Sequence, residues 1–123
     1  MYSNTVLIVS ERKNNSLSQA ISNVGYSPLF QKNMNGALDK LRREKFAAIL
    51  VDIKRVDIDV LEFVLNVRDF DEQTPVIFIG RLPEKNNEAT LLTLNNSFLI
   101  PSYRNSEELT EKLKRIIKVR ITG

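Results

Sequence analysis

Four stretches of this chain are apolar at consecutive positions: Val6-Leu7-Ile8-Val9, Ala47-Ala48-Ile49-Leu50-Val51, Val76-Ile77-Phe78-Ile79 and Phe98-Leu99-Ile100. Successive side chains of a strand point to opposite faces, so a run without alternation is apolar on both sides. Such strands belong in the interior of a parallel sheet covered by helices on both faces. A weaker run, residues 26–31, alternates and reads as an edge strand.

Helical spacing fills the intervals. Leu17, Ala20, Ile21 and Val24 fall at i, i+3, i+4 and i+7, with Gly25 placed to stop the helix. Ala37, Leu38 and Leu41 follow Asn35, read as an N-cap. Val60, Leu61, Val64 and Leu65 make a third stripe, with Asp59 as its N-cap and Asp57 just upstream, where negative charge suits the helix dipole. A short helix is expected over 88–94. The last is expected to bury Leu109, Leu113, Ile116 and Ile117, with Asn105 and Glu108 as a capping pair. Strands alternating with helices predict one α/β domain over residues 1–123, a doubly wound (βα)5 sandwich on a five-stranded parallel sheet.

Composition narrows the chemistry. With no cysteine and no histidine there is no disulfide, thiolate, imidazole base or histidine metal site. A net charge of +3 does not by itself imply nucleic acid, and the basic residues of the last helix are interspersed with Glu107, Glu108 and Glu111. No apolar run approaches the roughly 20 residues that cross a bilayer, and no signal peptide opens the chain. A cytoplasmic protein without membrane or direct nucleic-acid contact is the expectation. The segment from Lys118 to Gly123 reads either as a terminus or as the start of a linker. No G-x-G-x-x-G or G-x-x-x-x-G-K-[ST] is present, so neither a dinucleotide nor a P-loop phosphate cradle is encoded. No nucleophile–base pair supports a small-molecule enzyme.

In open α/β sheets ligands sit beyond the carboxyl ends of the strands. Those ends are Ser10-Glu11, Asp52, Gly80-Arg81 and Ile100-Pro101. An aspartate ending the third strand, followed by Ile53-Lys54-Arg55-Val56-Asp57-Ile58-Asp59-Val60, resembles the receiver domain of bacterial response regulators. Thr74-Pro75-Val76-Ile77-Phe78-Ile79 and the proline after the fifth strand carry the same likeness, which extends from Thr5 to about Lys118. The resemblance implies a flavodoxin-like (CheY-like) fold and a part in two-component phosphorelay signalling, with a histidine kinase or an output domain as protein partner. It implies that Asp52 is the phosphoacceptor and that Mg²⁺ is held by Glu11, Asp52 and the Lys54 backbone carbonyl.

Measured against that pattern, several parts are replaced. Ser10 stands at the first position of the acidic pair and Gly80 where a hydroxyl holds a phosphoryl oxygen. Ile100 stands in place of the lysine, Ser97 in place of the aromatic switch residue, and Val60 in place of the glycine opening the third helix. A lost charge-assisted hydrogen bond is worth about 1.5–3 kcal/mol and a lost hydroxyl about 0.5–1.5 kcal/mol. The expectation is a degenerate receiver, or pseudo-receiver, that binds proteins and turns nothing over, with Mg²⁺ binding weak or lost.

Lys54, Arg55 and Arg81 cluster by pattern at the same end, where one cationic head would pair with Asp52 and lock a single conformation. A homodimer through 84–120 is expected, with one of Leu91, Leu92 and Leu94 as an exposed contact. Two alternatives stand beside this: a working receiver phosphorylated on Asp52 with weak Mg²⁺ binding, and the N-terminal regulatory domain of an enhancer-binding transcription regulator. The latter rests on Ile79-Gly80 and Ile100-Pro101-Ser102-Tyr103.

Overall fold

The structure is a computed structural model that describes residues 4–55, 59–82, 90, 91 and 93–117. Five strands, β1 (Thr5–Val9), β2 (Ser27–Gln31), β3 (Ala48–Asp52), β4 (Val76–Ile79) and β5 (Ser97–Ile100), pair in parallel in the order β2-β1-β3-β4-β5. Four helices are described along their length: α1 (Asn15–Asn23), α2 (Met34–Arg43), α3 (Val60–Arg68) and α4 (Ser106–Lys114). Parallel neighbours require crossovers, and the helices supply them on both faces. This is the doubly wound sandwich that the non-alternating runs predict.

The two faces of the strands build two cores. Leu7, Val9, Ile49, Val51, Val76 and Phe78 pack with α2 and α3, where Ala37, Leu38, Leu41, Phe63, Val64 and Val67 are buried. Val6, Ile8, Ala48, Leu50, Ile77 and Ile79 face the other way, onto Leu17, Ala20 and Ile21 of α1 and Leu109 and Leu113 of α4. Across that second face Asn23 Nδ2 donates to Thr110 Oγ1 at 3.1 Å, tying α1 to α4. β3 and β4 are buried throughout, and β2 is the half-exposed edge.

Three expectations need correcting. The buried stripe of α3 is Val60, Phe63, Val64 and Val67, while Leu65 is 57% exposed. The observed stripe has the i, i+3, i+4, i+7 spacing that the expected one lacked: it runs through Phe63 and Val67 and leaves Leu65 on the outer face. The N-cap of α2 is Asn33, whose side chain accepts from Gly36 N–H; Asn35 lies within the helix. Of the last helical stripe Leu109, Leu113 and Ile117 are buried and Ile116 is half-buried. The caps expected at Asp59 and Asn105 are present, accepting from Glu62 and Glu108 N–H. Asp57, Val56, most of the expected 88–94 helix, Leu92 and the side chain of Arg55 lie outside the described residues. Within that segment residues 90, 91 and 93 are helical, Leu91 is buried and Leu94 half-buried. No helix among the described residues is long and apolar enough to cross a membrane.

The strand register brings the carboxyl ends together. Val9 is level with Val51, Asp52 with Ile79 and Ile79 with Ile100. Sheet order reverses direction between β1 and β3, so the crevice of this fold opens where these two strands end.

Candidate functional site

Asp52 is the last residue of β3, after four apolar positions that fix the strand in the core, and a 3-10 turn (Ile53–Arg55) carries the chain away. Its side chain is 5% exposed and forms part of the wall of an open cleft of about 290 Å³. The cleft is lined by Asn14, Asp52, Lys54, Ile79, Gly80, Pro101, Ser102 and Tyr103. It therefore joins the ends of β3, β4 and β5 to the start of α1.

Asn14 is the residue that sequence reasoning missed. It is the N-cap of α1, and its Oδ1 accepts from Ser16 N–H at 3.0 Å and Leu17 N–H at 3.3 Å. With the oxygen fixed by the cap, the amide nitrogen must face the other way. There Nδ2 donates to Asp52 Oδ2 at 3.5 Å. The available signal was the Asn-Asn-Ser stretch directly before Leu17, a cap sequence. Nothing local in it announces the second contact, which spans 38 residues.

The other positions singled out from sequence divide between cleft and core. Lys54 and Gly80 line the cleft. Ile100 is buried in the core with α1 and α4, and its carbonyl accepts from Gly80 N–H at 2.9 Å. The apolar wall facing the cleft is supplied by Ile79 instead. Gly80 adopts φ +120°. A Cβ there would meet Ile53 Cβ at 3.5 Å and Lys54 Cγ at 3.7 Å, so space is adequate but the backbone is one that L side chains rarely adopt. The missing hydroxyl and the backbone conformation go together.

Ser10 is buried and its hydroxyl donates to the Arg12 carbonyl at 2.7 Å, so the side chain turns back on its own loop. Glu11 is exposed and does not line the cleft. Ser97 opens β5 level with Val76, at the opposite end of the sheet from Asp52; its hydroxyl is buried without a hydrogen-bond partner among the described residues. Arg81 is exposed. Among the described residues no group of three acidic side chains could enclose a metal ion. Magnesium prefers near-octahedral oxygen coordination through one or two carboxylates and waters. Asp52 offers one carboxylate here, on whose Oδ2 an amide N–H is directed. One carboxylate is the least that the ion uses, so the described residues on this cleft supply a minimal donor set for it.

A second polar cluster lies at the other end of the sheet. Arg68, at the end of α3, donates through Nη1 to the carbonyls of Asp71 and Thr74, both at 2.9 Å, and through Nη2 to those of Asn95 and Asn96, both at 3.1 Å. One planar guanidinium thus ties the α3–β4 turn to the turn before β5. Burial draws its pKa down and Asp71 and Glu72 oppose that, and the group remains a cation. Asp71 is 5% exposed, and its carboxylate accepts from the Thr74 hydroxyl at 2.5 Å and from the Gln73 and Thr74 amides at 3.0 Å, with Lys45 at 3.7 Å. Burial alone would raise its pKa. The Thr74 hydroxyl, the Thr74 and Gln73 amides and Lys45 outweigh burial and hold it below the usual carboxylate range.

No family model and no curated protein matches the sequence. Solved structures do. The chemotaxis response regulator CheY4 of Vibrio cholerae is 19% identical, with a TM-score of 0.75 over 95% of this chain and 100% of that one. The receiver domain of a sensor histidine kinase from Pseudomonas aeruginosa, with a magnesium ion coordinated in its active-site cleft, is 16% identical, with a TM-score of 0.72 over 93% of this chain and 97% of that one. An orphan response regulator of H. pylori is 12% identical, with a TM-score of 0.77 over 93% of this chain and 96% of that one. The chain has the CheY-like fold of response-regulator receiver domains, with an aspartate buried at the end of its third strand.

Proposed function

We propose that this protein is a degenerate receiver domain of two-component signalling, whose output is the protein surface it presents. In this reading a histidine kinase or an output domain is the partner, nothing is turned over, and divalent-cation binding is weak. The supporting observation is the cleft. It keeps a buried carboxylate, Asp52, at the crevice of the sheet, yet the end of β4 gives the cleft Ile79 and a glycine at φ +120°, neither with a side-chain donor for a phosphoryl oxygen. A dianionic phosphoryl group brought to a carboxylate is stabilised almost entirely by positioned cations and hydrogen bonds. Lys54 is the one described lysine or arginine on the cleft, and its flexible ammonium is a poor substitute for a fixed set of donors.

The test is incubation with acetyl phosphate and Mg²⁺, followed by intact-mass measurement. The expected result is an unmodified chain. An adduct of about 80 Da, absent from Asp52→Asn, would replace this reading by that of a working receiver phosphorylated on Asp52. Lys54, Ser102 and Tyr103 on the cleft are the features that favour this second reading.

Self-association through residues 84–120 belongs to the same proposal. It is motivated by the edge position of β5 in the sheet and by α4 beside it in sequence. An edge strand leaves backbone groups available for pairing. The mass by light scattering should rise with concentration across the micromolar range. A monomer mass at every concentration would set self-association aside and leave the binding-module reading in place.

A further inference from the structure

We infer that Asn14 weakens divalent-cation binding in this cleft, its amide directed at an Asp52 oxygen that a metal ion would use. The inference rests on the reading of Asp52 as a retained acceptor residue, and goes further by assigning a part of the weakened metal binding to position 14. The geometry leaves Asn14 little freedom. Its Oδ1 is committed to two amides at the start of α1, so Nδ2 is the only atom that can face Asp52. A cation on Oδ2 competes directly with that N–H donor.

Among the described residues the cleft lining offers no second carboxylate to outbid it. Ser10 is neutral, buried and bonded to the Arg12 carbonyl, and Glu11 is exposed away from the cleft lining. At position 14 the exchange of one amide nitrogen for oxygen adds a second negative charge beside Asp52. Aspartate caps a helix as well as asparagine does. It would present a carboxylate oxygen where Nδ2 now stands, 3.5 Å from Asp52 Oδ2. Two carboxylates facing each other across that gap are held together by a divalent cation and repel without one.

Two measurements decide the matter. In the first, Mg²⁺ is titrated into the wild-type protein and Asn14→Asp, followed by backbone amide shifts around Asp52. Asn14→Asp should bind the ion at least about tenfold more tightly, because divalent cations favour paired carboxylates. Equal affinities would overturn the inference. In the second, the side-chain NH₂ resonances of Asn14 are compared between the wild type and Asp52→Asn. They should move on loss of the carboxylate, while those of the exposed Asn35 stay in place. Resonances of Asn14 that do not move would overturn the contact itself. This second measurement leaves position 14 untouched, so it decides even if Asn14→Asp fails to fold. Neither depends on phosphorylation. An acetyl-phosphate adduct on the wild type would sink the degenerate-receiver reading, whereas coincident Mg²⁺ titrations sink only the role given to Asn14.

Discussion

Arg68→Ala should cost about 3 kcal/mol of stability and lower the melting temperature by roughly 10 °C. The reason is the number of groups that share this side chain. Four backbone carbonyls, from Asp71, Thr74, Asn95 and Asn96, accept from its two terminal nitrogens. Removing it leaves partly buried acceptors without their donor, and the loss of hydrogen bonds to a charged group is felt more than that of neutral ones. Arg68→Lys should recover only a part, since a single ammonium cannot reproduce two planar NH₂ groups each bridging a pair of carbonyls. The damage should be local first. Hydrogen exchange of the Val76 and Ser97 amides, which open β4 and β5 and donate to Asn96 and Leu94, should accelerate before that of β3. Chemical denaturation that gave a loss below about 1 kcal/mol would show that water replaces the guanidinium at little cost.

Asp71→Asn should cost about 2 kcal/mol at neutral pH, and the deficit should shrink in acid. The carboxylate accepts from a hydroxyl and two amides and faces Lys45, which together stabilise its charged form. Its folded pKa therefore lies below the unfolded value of about 3.9. A carboxylate shifted in that direction contributes its stability above the unfolded pKa and loses it as pH falls through the folded one. The wild type and Asp71→Asn should thus differ most above about pH 4 and converge below it. Denaturation midpoints measured across that range give the answer; a gap independent of pH would mean that shape, and not charge, is what Asn fails to reproduce. Because Arg68 donates to the Asp71 carbonyl, the double variant should lose less than the two single losses added together.

Both predictions concern a cluster that no periodicity announces. Arg68 is the basic residue in the last turn of α3, and Asp71 and Thr74 lie between that helix and β4. Only the approach of the turn at Asn95 and Asn96, 27 and 28 residues on, makes the arginine a clamp. The candidate site shows the same division. Asp52 was legible because an aspartate ending an otherwise apolar run is conspicuous, and because open α/β sheets place their crevice at strand ends. Asn14 was not, since an asparagine before a helix is fully explained by capping. Ile100, in place of the lysine, is a core residue, and the apolar side chain on the cleft is that of Ile79. Leu65 shows the limit of stripe counting within a single helix: four apolar residues in a row of turns do not reveal which side a Phe will claim.

What the chain carries in its own order of residues is the architecture. Uninterrupted apolar runs are buried on both faces, helical stripes cover them, and parallel pairing with right-handed crossovers then leaves few arrangements. The absence of histidine and cysteine likewise settles which side chains any site must use. Tertiary structure alone decided the contacts that give those side chains their character. Asn14 faces Asp52, Ser10 turns onto Arg12, Gly80 takes a left-handed backbone, and Arg68 gathers four carbonyls. Periodicity reports which face of an element is apolar; hydrogen bonds between distant loops depend on distances and angles that exist only after the sheet has closed.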